Sequence, residues 1–164
     1  MHERVIVLVE DNATDEELTL RAFRKSNIMN RVVVLRDGAE ALDYFFQRGA
    51  HAGRPDHEIP QVVLLDLKLP KISGLDVLRA LRADERTRLL PIIILTSSAE
   101  EQDLVRSYEL GVNAYVVKPV DFAEFVEAIQ ELGLFWAVIN QPPPGSIARE
   151  REKRPAVIAV RTSS

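Results

Sequence analysis

A chain of 164 residues, 46% hydrophobic and 28% charged, has room for one self-sufficient core and a tail, and its composition is not that of a disordered protein. It has no cysteine, which excludes disulfide frameworks and thiolate metal sites, and no apolar run approaches the roughly 20 residues a membrane-spanning helix needs. The net charge of −4 is uneven: residues 141–164 carry +3 and the body −7, so an acidic domain precedes a basic tail. The opening Met-His-Glu-Arg leads into a five-residue apolar run, too short for a secretory signal, so a cytoplasmic location is expected. His2, His51 and His57 fall in the terminus or a loop-like segment, which argues against a histidine zinc site.

Residues 5–9 form the first apolar, strand-like run and end at Glu10 and Asp11. Thr14 and Glu17 make a capping-box pattern that predicts a helix to about residue 26. A second strand is expected over 31–35, followed by a turn at Asp37-Gly38, a helix over 39–48 and an irregular surface loop over 49–60. The third strand begins at Val62 and ends at Asp66. A loop with Pro70 follows, and Ser73 with Asp76 caps a helix to about residue 84. Pro91 introduces the fourth strand, which ends at Thr96. Ser98 and Glu101 cap a helix to Gly111, a fifth strand ends at Lys118, and Asp121 with Glu124 caps the last helix. Five strand–helix units in this order predict an α/β fold, a doubly wound five-stranded parallel sheet between two helical layers.

Parallel sheets place their ligand sites beyond the carboxyl ends of their strands. There the chain collects Glu10, Asp11, Asp66, Thr96 and Lys118. Two bare carboxylates roughly 5 Å apart repel by several tenths of a kcal/mol even in water, so such a site calls for a cation. Oxygen ligands without imidazole or thiolate favour Mg²⁺ or Mn²⁺. With Lys118 neutralising a second side and Thr96 donating a hydrogen bond, Asp66 could act as a nucleophile toward a phosphoryl group. Singly, each residue has an ordinary explanation: a helix cap for Asp11, turn chemistry for Asp66, a β-branched strand residue for Thr96, a solvated strand end for Lys118. Their conjunction in this chain order favours the chemistry.

The runs Val-Glu-Asp-Asn (9–12), Leu-Leu-Asp-Leu-Lys-Leu-Pro-Lys-Ile-Ser-Gly (64–74), Leu-Thr-Ser-Ser (95–98) and Tyr-Val-Val-Lys-Pro (115–119) resemble the receiver domains of two-component response regulators, which have a chemotaxis-regulator-like, flavodoxin-type (βα)₅ fold. The resemblance covers residues 4 to about 133. It implies that Asp66 is the phosphoacceptor, Asp11 a Mg²⁺ ligand, Glu10 a ligand through water and the Lys68 carbonyl the third protein ligand. It further implies that Thr96 and Lys118 bind the phosphoryl group, that Thr96 and Tyr115 form a switch pair, and that Lys68 and Ser98 tune dephosphorylation. A cis Lys118-Pro119 bond is implied as well. Within the family the chain looks most like single-domain regulators paired with phytochrome-type histidine kinases, so a sensor kinase and a downstream protein are the expected partners.

A haloacid-dehalogenase-type phosphatase would need a second aspartate where Lys68 stands. No G-x-G-x-x-G or Walker loop occurs. A pseudo-receiver that only binds would be expected to lose part of the acid cluster or the lysine, and this chain keeps both. The expected division is a receiver domain over 1–140 and a Pro-rich spacer and tail over 141–164, too short for a DNA-binding output module. The chain is therefore read as a signalling protein rather than an enzyme. Leu134, Phe135, Trp136, Val138 and Ile139 exceed what one core stripe can bury. This predicts a homodimer through the last strand and last helix, with Phe135 and Trp136 near its centre and residues 157–160 reaching the partner subunit.

Overall fold

The computed structural model describes residues 3–25, 28, 30–55 and 58–131. Its elements are β1 (Glu3–Val9), α1 (Ala13–Lys25), β2 (Arg31–Leu35), α2 (Gly38–Phe45), a 3₁₀ turn (Gly49–His51), β3 (Glu58–Asp66), α3 (Gly74–Ala83), β4 (Ile92–Thr96), α4 (Ala99–Ser107), β5 (Ala114–Val117) and α5 (Phe122–Glu131). The five strands form one parallel sheet in the order β2-β1-β3-β4-β5. The chain reverses direction across the sheet between β1 and β3, and a crevice opens there at the strand ends.

Both sheet faces are covered, so the strands bury side chains on both sides and read as continuous apolar runs. Period two divides them cleanly. Val5, Val7, Val9, Val63 and Leu65 enter one core with Ala41, Leu78, Leu81 and Val105 of α2, α3 and α4. Ile6, Leu8, Val62 and Leu64 enter the other with Ala22, Phe23, Phe125 and Ala128 of α1 and α5. Each fully buried Val, Leu or Ile contributes about 1.5–3 kcal/mol, and the Phe23 and Phe125 rings meet at 4.6 Å to join α1 to α5.

Several expected boundaries shift. Asn12, not Thr14, caps α1: its Oδ1 accepts from Asp15 N at 2.9 Å and its carbonyl from Glu16 N. The chain turns directly off β1, which leaves Thr14 already inside the helix. Asp37 is the N-cap of α2 rather than part of a free turn, its side chain accepting from Glu40 N. The presumed loop before Val62 holds the 3₁₀ turn and the first residues of β3, because buried Glu58 finds partners in the buried Tyr44 hydroxyl and the half-exposed Arg31 guanidinium. Helix α4 stops at Ser107, and Glu109 and Gly111 take positive φ values of 50° and 68° in the descent to β5. The Ser73, Ser98 and Asp121 caps are formed as expected. Leu134, Phe135, Trp136, Val138, Ile139 and the whole of 141–164 lie outside the described residues, and with them the division of the chain at residue 140.

Candidate functional site

Strand ends β1 and β3 bring Glu10, Asp11 and Asp66 together, with one carboxylate oxygen of each within 4.8 Å of those of the other two. Asp11 is exposed, whereas Glu10 and Asp66 are buried. From the end of β5, Lys118 reaches across. Its Nζ lies 2.9 Å from Asp66 Oδ2, 2.8 Å from Asp15 Oδ2 and 3.3 Å from Glu10 Oε1. The Lys118-Pro119 peptide is cis, as the resemblance implied. Asp66 Oδ1 accepts from the Lys68 main-chain N–H at 3.2 Å.

The charge balance of this cluster is incomplete. Burial, followed by the neighbouring Asp66 carboxylate, pushes the Glu10 pKa up to about 7 against the opposing pull of the Asn12 N–H and Lys118. Glu10 Oε1 has Lys118 beside it as an ion-pair neighbour but, among the described residues, no donor aimed at it in hydrogen-bonding geometry. Burial also works against the Lys118 ammonium, yet its hydrogen bonds to Asp15 and Asp66 and the charges of Asp66 and Glu10 outweigh that and raise its pKa. Three carboxylates facing one ammonium, with a buried oxygen left over, fit a divalent cation of hard, oxygen-preferring character.

Two glycines fix the loop that carries Asp66. A Cβ on Gly74 would come within 2.1 Å of the Asp66 carbonyl oxygen, and one on Gly38 within 1.9 Å of the Ile72 carbonyl oxygen. Gly74 N donates to the Leu67 carbonyl at 2.9 Å and Gly38 N to Pro70 at 3.3 Å, so the two helix starts clasp residues 67–72 from both sides.

Across the crevice, the Thr96 hydroxyl is fully buried and turned toward α4. It lies 2.8 Å from the Ser98 carbonyl and 3.0 Å from Glu101 Oε1, and it accepts from Ser98 N at 3.2 Å. Tyr115 is half-buried with the Arg106 guanidinium 5.3 Å from its ring centre. It lines a cavity of about 390 Å³ between α4 and β5, together with Val105, Leu110 and Val112. Asp66, Asp11, Glu10, Lys118 and the Lys68 backbone thus share one cluster. Thr96, Ser98 and Lys68's side chain form its α4 wall, and Tyr115 lies behind that wall.

Two participants escaped the sequence reading. Asp15 stands four residues after Asp11 in the first turn of α1, where an acid is ordinary, yet it lies on the helix face that looks back to the strand ends and meets Lys118. In the sequence Glu101 reads only as a capping partner, whereas it also binds Thr96, Ser97 and, at 3.4 Å, Lys68 Nζ.

A parallel sheet of this order with an acid cluster, a lysine and a hydroxyl at its carboxyl edge defines a class, and residues 6–130 match the response regulator receiver domain. The chain belongs to that family. Among solved structures it is similar to the bacteriophytochrome response regulator AtBRR (57% identity, TM-score 0.78, covering 86% of this chain and 100% of that one). It is also similar to the bacteriophytochrome response regulator RtBRR (53%, TM-score 0.78, 93% and 90%). Response regulator Rcp1 of Synechocystis sp. is 35% identical over 133 residues, 81% of this chain and 88% of its own length. The structure of its Mn²⁺-bound form matches at a TM-score of 0.65, with 35% identity over 80% of this chain and 93% of that one. The protein is thus a receiver-domain response regulator homologous to phytochrome response regulators, and receiver domains are typically signalling proteins.

Proposed function

We propose that the chain is a stand-alone response regulator that takes a phosphoryl group from a sensor histidine kinase onto Asp66 and signals by phosphorylation-dependent protein binding. The observation that carries this reading is the convergence of Lys118 Nζ on Asp66 within a cluster of three carboxylates. One Asp66 oxygen forms the new O–P bond while the P–N bond to the donor histidine breaks and the departing imidazole takes up a proton. Lys118 keeps its proton throughout and draws the phosphoryl oxygens toward β5. The Lys68 N–H steadies Asp66 during attack. Mg²⁺ or Mn²⁺, held by Asp11, Asp66, the Lys68 carbonyl and, through water, Glu10, would screen the carboxylates from the incoming phosphoryl charge. In support, the relative Rcp1 has a Mn²⁺-bound form. Lys68 and Ser98 flank the phosphoryl position and tune its hydrolysis.

The kinase is of phytochrome type, a reading supported by the names of AtBRR and RtBRR and by the extent of the match to each. Phosphotransfer takes place in the cytoplasm, and no DNA is bound. Thr96 and Tyr115 couple the phosphoryl group to the α4, β5 and α5 flank as a population shift. That flank leaves Leu104, Tyr108 and Val117 exposed, which supports a homodimer contact continued by Phe135 and Trp136. Sedimentation equilibrium tests it: a dimer at tens of micromolar is expected, and it should dissociate in the Phe135→Ala, Trp136→Ala double variant. For the function itself, incubation with a phosphorylated phytochrome-type kinase should label Asp66 only when Mg²⁺ is present. Label that survives EDTA, or that stays at full level on Asp66→Asn, would refute the assignment.

A further inference from the structure

The Thr96 hydroxyl has one proton and, in this structure, two acceptors for it, the Ser98 carbonyl at 2.8 Å and Glu101 Oε1 at 3.0 Å. Its oxygen is already an acceptor from Ser98 N. It therefore has no second proton for a phosphoryl oxygen on Asp66 while either bond persists. Of the two acceptors, Glu101 is the charged one. Partial burial works to raise the Glu101 pKa, but the Ser97 N–H, the Thr96 and Ser97 hydroxyls and the Lys68 ammonium together bring it below the ordinary glutamate value. As a carboxylate it is the stronger acceptor of the pair.

Glu101 is also well held. Its Oε1 accepts from Ser97 N at 2.8 Å, its Oε2 from the Ser97 hydroxyl at 3.1 Å, and Lys68 Nζ stands 3.4 Å from Oε2. It sits in the first turn of α4, whose start is fixed by the Ser98 hydroxyl accepting from Glu101 N. A carboxylate fixed by both backbone and side chains is a preorganised acceptor, so leaving it costs Thr96 more than leaving a mobile surface glutamate would.

We propose that Glu101 is a positioning residue, a latch that competes with the Asp66-bound phosphoryl group for the single hydroxyl proton of Thr96. Engagement of the phosphoryl group requires Thr96 to leave Glu101. The vacated carboxylate keeps Ser97 and Lys68 as partners, which limits the cost of release. The latch thereby sets how much phosphoryl binding energy is spent before the α4 and β5 side can respond. This inference rests on Asp66 being the phosphoacceptor.

The test is calorimetric titration of the full chain with beryllofluoride in the presence of Mg²⁺. The proteins are wild type, Glu101→Gln, Glu101→Ala and Asp66→Asn, with each Glu101 change repeated in a Thr96→Ala background. Replacing a charge-assisted hydrogen bond by the remaining carbonyl one should tighten binding about fivefold in Glu101→Ala and by a smaller factor in Glu101→Gln. The gain should vanish in the Thr96→Ala background. An equal gain there would mean that Glu101 acts only through its charge on the anion, and no gain in either Glu101 variant would mean that Thr96 is not restrained. Both results overturn the latch. Glu101→Gln keeps the shape of the side chain and stands in if the alanine variant does not fold. Failure of wild type to bind, or undiminished binding to Asp66→Asn, would instead strike the phosphoacceptor reading itself.

Discussion

Two buried glutamates sit at opposite ends of the same sheet and are treated in opposite ways. Glu58, at the start of β3, is fully partnered: the Tyr44 hydroxyl donates to one oxygen and the Arg31 guanidinium to the other. Arg54 closes the group, donating to the Tyr44 and Glu58 carbonyls and lying over the Tyr44 ring at 4.7 Å. Glu10, at the end of β1, has an oxygen with Lys118 near it but no hydrogen-bond donor among the described residues, and a second carboxylate beside it. The first arrangement is what a buried acid needs in order to be structural. The second leaves an electrostatic demand that the described residues do not fully meet, and such a demand marks a place for a ligand.

The comparison can be broken most sharply at Asp66. Asp66→Asn should abolish covalent phosphorylation while leaving the thermal unfolding curve close to wild type, as intact-mass analysis and circular dichroism would show. At the other end, Glu58→Ala should leave phosphorylation unchanged but cost about 2 kcal/mol of stability by stranding the buried Tyr44 hydroxyl. The Arg31 contribution to that loss is small because its side chain is half-exposed. Denaturant melts paired with a phosphorylation assay would separate the two effects. Glu10→Gln should do the reverse of Glu58→Ala: divalent-cation affinity falls about tenfold, with no loss of metal-free stability at pH 8.

The comparison extends to pH dependence. The Glu10 pKa stands at about 7 in the fold against an ordinary 4.5, so folding takes up a proton between these values. Its contribution to stability is full below pH 4.5 and is lost as pH rises through 7. Melting temperatures of wild type and Glu10→Gln in EDTA, compared from pH 5.5 to 8, should converge at the acid end and separate at the alkaline end. Parallel curves would show that Glu10 stays ionised across this range.

The same contrast explains what could be read in the sequence. The strand ends were legible because strands buried on both faces are unbroken apolar runs, and the chemical residues interrupt them at one edge. The start of β3 was not legible. Glu58 and Pro60 speak against a central strand, and only the tertiary partners of Glu58 and the register shift beside Val5, where Pro60 pairs, make room for them. Asn12 displaced Thr14 as the cap of α1 because the chain turns at once off β1, a matter of path rather than pattern. Asp15 and Glu101 are acids in first helical turns, where acids are ordinary. Their roles come from Lys118 and Thr96 arriving from other strands.

The glycine clasp has a mechanical consequence. With Gly38 and Gly74 pressed against the carbonyls of residues 72 and 66, the strand that bears Asp66 acts as an anvil, and charge added there would find little compliance beneath it. The yielding side would then be the opposite jaw, where the proposed latch hangs on the one hydroxyl proton of Thr96. On the proposed reading, a signal from Asp66 would leave through α4 and β5, the direction in which the crevice can give way.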